Sequence, residues 1–569
     1  MKIIGINSSY DASMNQINSG GCAYINDGKI IAAIAEERVS RCKDMGGFLH
    51  SLDTIYKEYE LTVEDIDYFY ISFYANPIIP EKNIIRLHLE QLNLLDCPDK
   101  LVIMPSHHFS HACLAHFLSP FEESIIMVAD NEGSLLTPKD AEKKANELNY
   151  CERNSYYWAR GNCITMIGRD FQGPNDVGFG KAYNIFTSYI GLGNYLQAGK
   201  TMGLSSYGYL PDEWKDLELW SMDKNGNLNS YLSETEDAII DLEYYFRKHG
   251  IILHRGLNYH STEYKQLAFF VQQQLNKWSV RKMKYLSEHF NVSNLCVSGG
   301  VALNSIMNYE LGKKLNMDVF VPPYCSDPGQ ALGNAVYGYI TQSGKGNNPC
   351  IPKFTFNDYI YLGLEYDDKR IEKELINEFQ NDSRIKIIKP NNPLRETAKM
   401  IAEGRIIGCF QGRSEYGARA LGNRSILAMP NSTVIRDRIN RLKGRESFRP
   451  IAPAVLSEAR NCYFEEDNSI LDQLMLRVVK VKEEYREDLC GITHIDGTAR
   501  LQVVDDKVNP IFHELIKMVY ELTDIPIVTN TSFNKAGDPI VETPHDAVTT
   551  FLDMGLDGLL CGNYYITKK

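Results

Sequence analysis

The chain has 569 residues, 44% of them hydrophobic and 23% charged, which is the make-up of a globular protein with material for two or three cores. Its formal net charge of -13 argues against a protein that grips nucleic acid through phosphates and suits small-molecule chemistry. Thirteen scattered cysteines without a CxxC pair point to reduced thiols rather than a disulfide framework or zinc ribbon. The opening "MKIIGINSSYDAS" has an apolar run too short for a secretory core, and no apolar stretch long enough to span a membrane follows. A cytoplasmic protein without membrane attachment is expected.

The first elements read as strands: "KIIGI", "GGCAYIN" and "KIIAAIAEE", with Asn26-Asp27-Gly28 supplying the turn between the last two. "DYFYISFY" is a further β-rich run. After a histidine-rich stretch comes "SIIMVADNEGSL", a buried strand ending in acidic and small residues, and then "SYYWARGNCITMIGRD", two β-prone runs around a Gly-Asn turn. A strand closing on a polar residue and followed by a hairpin thus occurs twice. Duplicated halves of this kind suggest the two-lobed nucleotide-binding fold of actin, Hsp70 and sugar kinases. Gly, Asn, Pro and Lys dominate "QSGKGNNPCIPKF", so a linker is placed at 346–360, between domains at 1–345 and 361–569. Beyond it, strands and helices alternate, as in a separate α/β domain.

Four of thirteen histidines lie between positions 107 and 116. His107 and His111 share one side of a helical turn, which fits either a polar helix face or a pair of metal ligands. Asp130, ending "IIMVAD", and Asp327, in "YCSDPGQALGNA", would complete a two-imidazole, two-carboxylate set suited to iron, manganese or zinc; each also fits a turn or cap. His108 would then support a ligand from behind, and His116 would lie at the surface. In "CVSGGVALNSIMN", Gly299 and Gly300 let the backbone approach a ligand ahead of a helix N-terminus, or serve steric needs alone. Lys200, in "LQAGKTMGLSSYG", meets an anion or faces solvent. The second domain carries Arg413 and Arg419, then Lys443, Arg445 and Arg449 in "KGRESFRPIAP", and Arg500 in "THIDGTARLQ", with Ser532 and Asn534 after a strand. Cations at three separate Gly-rich loops of an acidic protein suggest a polyphosphate pocket.

Taken in order, "AEERVSRCKDMGGF", "HHFSHACLAHFLSPF", "AGKTMGLSSYG", "SGGVALN", "QGRSEYGARALGNRSILA", "KGRESFRPIAP", "THIDGTARLQ" and "TNTSFNKAGDPIV" resemble the O-carbamoyltransferases of antibiotic, nodulation-factor and cephem type. The resemblance implies an N-terminal duplicated actin/Hsp70/sugar-kinase-like domain, similar to the tRNA threonylcarbamoyl-transfer proteins, and a C-terminal YrdC-like α/β domain. The latter would form carbamoyladenylate from carbamoyl phosphate and ATP, with Mg2+ accompanying ATP. Lys443, Arg449, Arg500, Ser532 and Asn534 match the family's residues of that pocket, and Arg413 is counted with them. The N-terminal domain would transfer the carbamoyl group to a hydroxyl of a small natural-product acceptor. His107, His111, Asp130 and Asp327 match its metal ligands, usually iron, and Gly299, Gly300 and Asn304 its nucleotide-contacting turn, with Lys200 nearby in the carbamoyladenylate set.

One departure stands out. The family carries a His-Asp pair after the first strand; here Tyr10 stands in the histidine's place, followed by Asp11. A tyrosine is a poor general base near neutral pH, so Asp11, Tyr10 in another capacity, or a further group is expected to take the role. A small-molecule kinase of the same superfamily is the alternative, and it leaves the C-terminal cations unexplained. A non-catalytic ATP-gated protein needs no histidine cluster. Neither nucleic acid nor membrane is an expected partner, and the chain is expected to be a monomer or a homodimer.

Overall fold

Strand β1 (Lys2–Tyr10) is buried along almost its whole length, and its isoleucines at 3, 4 and 6 are each fully covered. Burying side chains of this size stabilises by about 2 kcal/mol each. It pairs antiparallel with β2 (Gly21–Asn26) and parallel with β4 (Tyr68–Ala75). β3 (Lys29–Ala35) and β5 (Leu101–Ile103) complete a sheet of order β3-β2-β1-β4-β5. The β2–β3 turn is built as expected: Asp27 and Gly28 both take positive φ, 47° and 80°, which lets a two-residue loop follow the strand twist.

The second sheet repeats this plan. β6 (Glu123–Ala129) pairs antiparallel with β7 (Asn154–Arg160), which pairs antiparallel with β8 (Cys163–Asp170). On its other side β6 runs parallel to Asn294–Ser298, which runs parallel to Asp318–Phe320. Each sheet therefore has a central strand with a hairpin on one flank and parallel strands on the other. This is the duplicated topology of the actin/Hsp70/sugar-kinase class.

The computed structural model describes residues 1–10, 19–75, 81–135, 150–235, 237–344, 354–465 and 467–569. It falls into two compact units, Met1–Ile31 with Met45–Phe354, and Ala32–Asp44 with Thr355–Lys569. The sequence reading had placed 32–44 in the first domain and read "KIIAAIAEE" as one strand. The strand stops at Ala35, and Glu36–Ser40 forms a short helix. Most of the expected linker lies outside the described residues; its last part holds a 3-10 turn at Phe356–Asp358.

In the first unit, the helix Gln330–Ser343 lies against β1 so closely that a Cβ on Gly5 would sit 1.9 Å from Ala331 O. The helix His107–Leu118 is buried at every position except Phe109. The second unit is built on an eight-stranded mixed sheet. Its middle strand Ile407–Phe410 runs parallel to Gly558–Cys561 and antiparallel to Arg424–Ala428, which continues through Ile527–Ser532 to Ala452–Leu456. The amphipathic helices Pro393–Ala402 and Pro510–Thr523 cover it, joining Ile401, Leu515, Ile516 and Val519 to the core. Among the described residues no helix is long and apolar enough to cross a membrane.

Candidate functional site

Ser106 starts the histidine helix. Its hydroxyl accepts from Phe109 N at 3.1 Å as an N-cap and donates to Glu152 Oε1 at 2.8 Å. Glu152, fully buried, also accepts the His108 amide at 3.0 Å and the Arg169 guanidinium at 3.0 Å. The helix end is thus fixed before any functional side chain is placed. His107 and His111 project one turn apart, with ring centroids 5.0 Å from each other, and both are buried.

Asp130 follows directly on β6, and Asp327 opens the turn Asp327–Gly329 ahead of the Gln330–Ser343 helix. Their carboxylates face the two rings: His107 Nε2 is 4.0 Å from Asp130 and 3.4 Å from Asp327, and His111 Nε2 is 3.5 Å from each. One donor atom from each of the four lies within 4.8 Å of the others. Burial opposes charge on His107, but the facing Asp327 and Asp130 outweigh it and push the ring up to about 10. Burial likewise opposes charge on Asp130, yet His107 and His111 hold it below the usual carboxylate range. Asp327 is also lowered, its burial being outweighed chiefly by His107.

Two imidazoles and two carboxylates converging in this way form a donor set that fits a divalent cation. Gln330 supports the fit: its Nε2 lies 3.2 Å from His111 Nε2, while its buried Oε1 has no partner among the described residues. Ser298 Oγ holds His111 Nδ1 at 3.2 Å. Asn7 Nδ2 donates to Asp327 O at 3.0 Å from within a buried chain of Asn7, Ser72 and Asn334. These supports orient the ligating atoms, as outer partners do in metal centres.

The glycine turn serves this cluster. Gly299 has φ 90°, and a Cβ there would meet Ala129 O at 2.3 Å, so only glycine fits. Gly300 N donates to Asp130 Oδ2 at 3.1 Å. Asn304 caps the helix Ser305–Leu315 through Met307 N and pairs with Gln272, so its side chain is already occupied within the fold. Lys200 is half-buried on the helix Ala198–Ser205. His108 is buried with Nδ1 2.7 Å from Ser155 Oγ, and burial drives its pKa down to about 4. His116 is not a surface residue: it is 3% exposed, with its ring nitrogens on Ser124 Oγ and Gly161 O. Every side of its helix but one position is covered, so helical phase alone could not place it outside. Tyr10 is 1% exposed, packs on His88 with centroids 5.6 Å apart, and donates to Gln91 Oε1. That is the setting of a core ring rather than of a group meeting substrate. Asp11 lies outside the described residues.

The second unit gathers several cations, with Glu446 facing Arg449 at 3.7 Å. Lys443 ends the helix Thr433–Lys443, where Gly444 turns the chain with φ 66°, and its ammonium is buried among Ser532 Oγ, the Asn534 carbonyl at 2.6 Å and Asn534 Oδ1 at 3.1 Å. Burial, then Arg445 and Arg449, push Lys443 well below the usual range. Arg445 reaches Thr531 Oγ1 and Ser532 Oγ and is pushed down to about 9 by burial and by Arg449 and Arg419. Arg500 is lowered by burial, Arg419, Arg445 and Arg449, and Arg449 by burial. Mutual repulsion in a desolvated pocket is relieved by an anion, and several guanidinium forks beside one ammonium match a polyphosphate. Arg413 is not part of this convergence; it clamps the Leu362 and Gly363 carbonyls at 3.0 and 3.1 Å. Sequence reasoning passed over Gln330, although it follows Asp327 by three positions at a helix start, and over Asn7 and Glu152, which carry no sequence signal of their own.

The first unit thus carries a His/Asp cluster on a duplicated two-lobed fold, and the second carries a group of cations around the buried Lys443 on a mixed α/β sheet. Two family descriptions match this chain: "Carbamoyltransferase N-terminus" over residues 73–336 and "Carbamoyltransferase C-terminus" over residues 398–568. The chain belongs to the carbamoyltransferase family. It is 32% identical to nodulation protein NolNO of Sinorhizobium fredii, over 99% of this chain and 81% of that one. It is also 34% identical to the 3'-hydroxymethylcephem-O-carbamoyltransferase of Amycolatopsis lactamdurans, over 48% of this chain and 49% of that one. Among solved structures, full-length HypF in its phosphate- and nucleotide-bound form covers 61% of this chain and 56% of its own, at 12% identity and a TM-score of 0.36.

Proposed function

We propose that the protein is an ATP-dependent O-carbamoyltransferase that divides its reaction between the two sites. The observation that carries this reading is the pairing, in one chain of this family, of a centre needing a cation with a pocket needing an anion. In the second unit, carbamoyl phosphate gives up phosphate to one water, and the resulting carbamate oxygen attacks the α-phosphorus of ATP. Carbamoyladenylate and pyrophosphate result. Lys443, Arg445, Arg449 and Arg500 hold the phosphates and neutralise charge that builds during transfer.

In the first unit, an acceptor hydroxyl attacks the carbamoyl carbon and gives up its proton to solvent, and AMP leaves with the bonding pair. His107, His111, Asp130 and Asp327 would hold a divalent ion, iron or manganese by donor type, which when bound polarises the carbamoyl oxygen. Gly300 and Ser298 keep Asp130 and His111 aimed at one point, and Asn7 fixes the Asp327 turn. The acceptor is a small hydroxylated molecule, as the name of the cephem relative suggests for that protein.

The test needs no acceptor. Purified protein given ATP and carbamoyl phosphate should release pyrophosphate strictly dependent on carbamoyl phosphate, with carbamoyladenylate seen by mass spectrometry. ADP formation without pyrophosphate would instead favour a kinase of the same two-lobed class, whose topology the first unit shares.

A further inference from the structure

The stretch Ala32–Asp44, which contains "AEERVSRCKD", lies outside both family matches and forms part of the second unit. Arg38 is its centre. The side chain is 4% exposed and its guanidinium is divided three ways: Nη1 donates to Glu542 Oε2 and to Val541 O, each at 3.3 Å, and Nη2 to Glu415 O at 3.0 Å. Three residues on, Arg41 donates to Ile540 O at 2.7 Å and lies 3.3 Å from Asp546.

Both glutamates that Arg38 meets, Glu542 by its carboxylate and Glu415 by its main-chain carbonyl, act on one loop. Glu542 Oε1 accepts from Ser414 Oγ at 2.7 Å. Glu415 Oε1 accepts the amides of Leu421, Asn423 and Arg424 at 2.7, 2.8 and 3.2 Å, closing the loop that carries Arg419. Ala420 O, next to Arg419, accepts from Asn530 Nδ2 at 3.2 Å on the strand whose Thr531 and Ser532 meet Arg445, and Arg419 adds to the positive field on Arg445 and Arg500. From inside the loop, Arg424 holds the carbonyls of Gln411 and Gly412. Two buried guanidiniums, Arg38 and Arg424, therefore balance two buried carboxylates, Glu415 and Glu542. Only Arg38 comes from a distant part of the sequence, 377 positions before Glu415. A planar fork meets three acceptors at fixed angles, which a lysine ammonium does not reproduce.

We propose that Arg38 is a positioning residue of the adenylate-forming pocket, holding the Glu415 loop so that Arg419 joins Lys443, Arg445 and Arg500 around the bound phosphates. The inference rests on the anion-pocket reading above. Arg38 touches no reacting atom; it acts through Glu415 and Glu542.

The test uses the full chain and follows carbamoyl-phosphate-dependent pyrophosphate release against ATP concentration. Arg38→Met should raise the KM for ATP at least tenfold. Arg38→Met with Glu542→Gln restores charge balance without restoring the anchor; it should unfold near the wild-type temperature yet keep the raised KM. Arg38→Lys should fall between, and millimolar guanidinium ion should partly restore an Arg38→Ala variant where methylammonium does not. Metal binding by the first unit, followed by Mn2+ titration, should match wild type throughout. A folded double variant with wild-type KM would overturn the positioning role. If that variant does not fold, a wild-type KM in Arg38→Lys does the same. Wild-type protein that releases no pyrophosphate at all would instead sink the pocket reading, and Arg38's role with it.

Discussion

The two charged clusters of this protein are opposites in composition and alike in logic. In the first unit, Asp130 and Asp327 face two imidazoles, a donor set that fits a divalent cation. In the second, Lys443, Arg445, Arg449 and Arg500 crowd one another, and with Glu446 facing Arg449 at 3.7 Å positive charge is still in excess. Removing charge from water costs several kcal/mol per ion unless a partner arrives. On the proposed reading that partner is a cation in the first cluster and an anion in the second. They differ in support. The cation centre is held by neutral hydrogen bonds from Ser298, Gly300 and Asn7, which orient donors without altering the charge count. The anion pocket is held by further ions, the balanced set of Arg38, Arg424, Glu415 and Glu542. A small hard ion demands direction; a large polyanion demands a stable field.

The largest effects should come from breaking one cluster and leaving the other. His111→Ala removes a donor that is fully buried, and acceptor carbamoylation should fall on the order of 10³-fold. Pyrophosphate release should stay within about twofold of wild type, since ATP chemistry is assigned to the other unit. Lys443→Met should do the reverse, lowering pyrophosphate release on the order of 10²-fold or more while transfer from supplied carbamoyladenylate survives. Equal loss of both activities in either variant would show that the sites do not act separately. A smaller effect should sharpen the contrast in support. Asn7→Ala removes the hydrogen bond to Asp327 O but no ligand, and Mn2+ affinity should drop about tenfold, read by titration. Unchanged affinity would mean that the Asp327 turn holds its own shape.

How much of this was legible in the sequence follows the same division. The four donors of the His/Asp cluster were open to two readings on local signals, two sitting one helical turn apart, one ending a strand and one opening a helix, and the family resemblance is what joined them as a ligand set. The cations of the pocket could be read as a group but not sorted. Arg413 and Arg445 sit in similar Gly-rich loops, and only the fold shows that one clamps carbonyls while the other joins the pocket. His116 was misplaced because a helix between two layers has no solvent side. The role of Arg38 was out of reach, since its partners lie hundreds of residues away and no periodicity records such a contact.

Tyr10 is the finest test of that boundary, because local sequence gave it the place of a catalytic histidine and the fold buries it. The ring packs on His88 within an aromatic wall that includes Phe48 and Phe73, and its hydroxyl reaches Gln91 at 3.2 Å. His88 itself is held neutral there, burial driving its pKa down to about 3. Tyr10→Phe keeps the ring and deletes one hydrogen bond. The expected cost is about 1 kcal/mol of stability in denaturant unfolding. The transfer rate should stay within about twofold, with an unchanged pH profile. A tenfold loss of transfer with stability intact would give the hydroxyl a chemical role and reopen the question of which group stands in for the histidine. A loss of stability alone would leave Tyr10 as packing and place acceptor activation with the centre around His107 and His111.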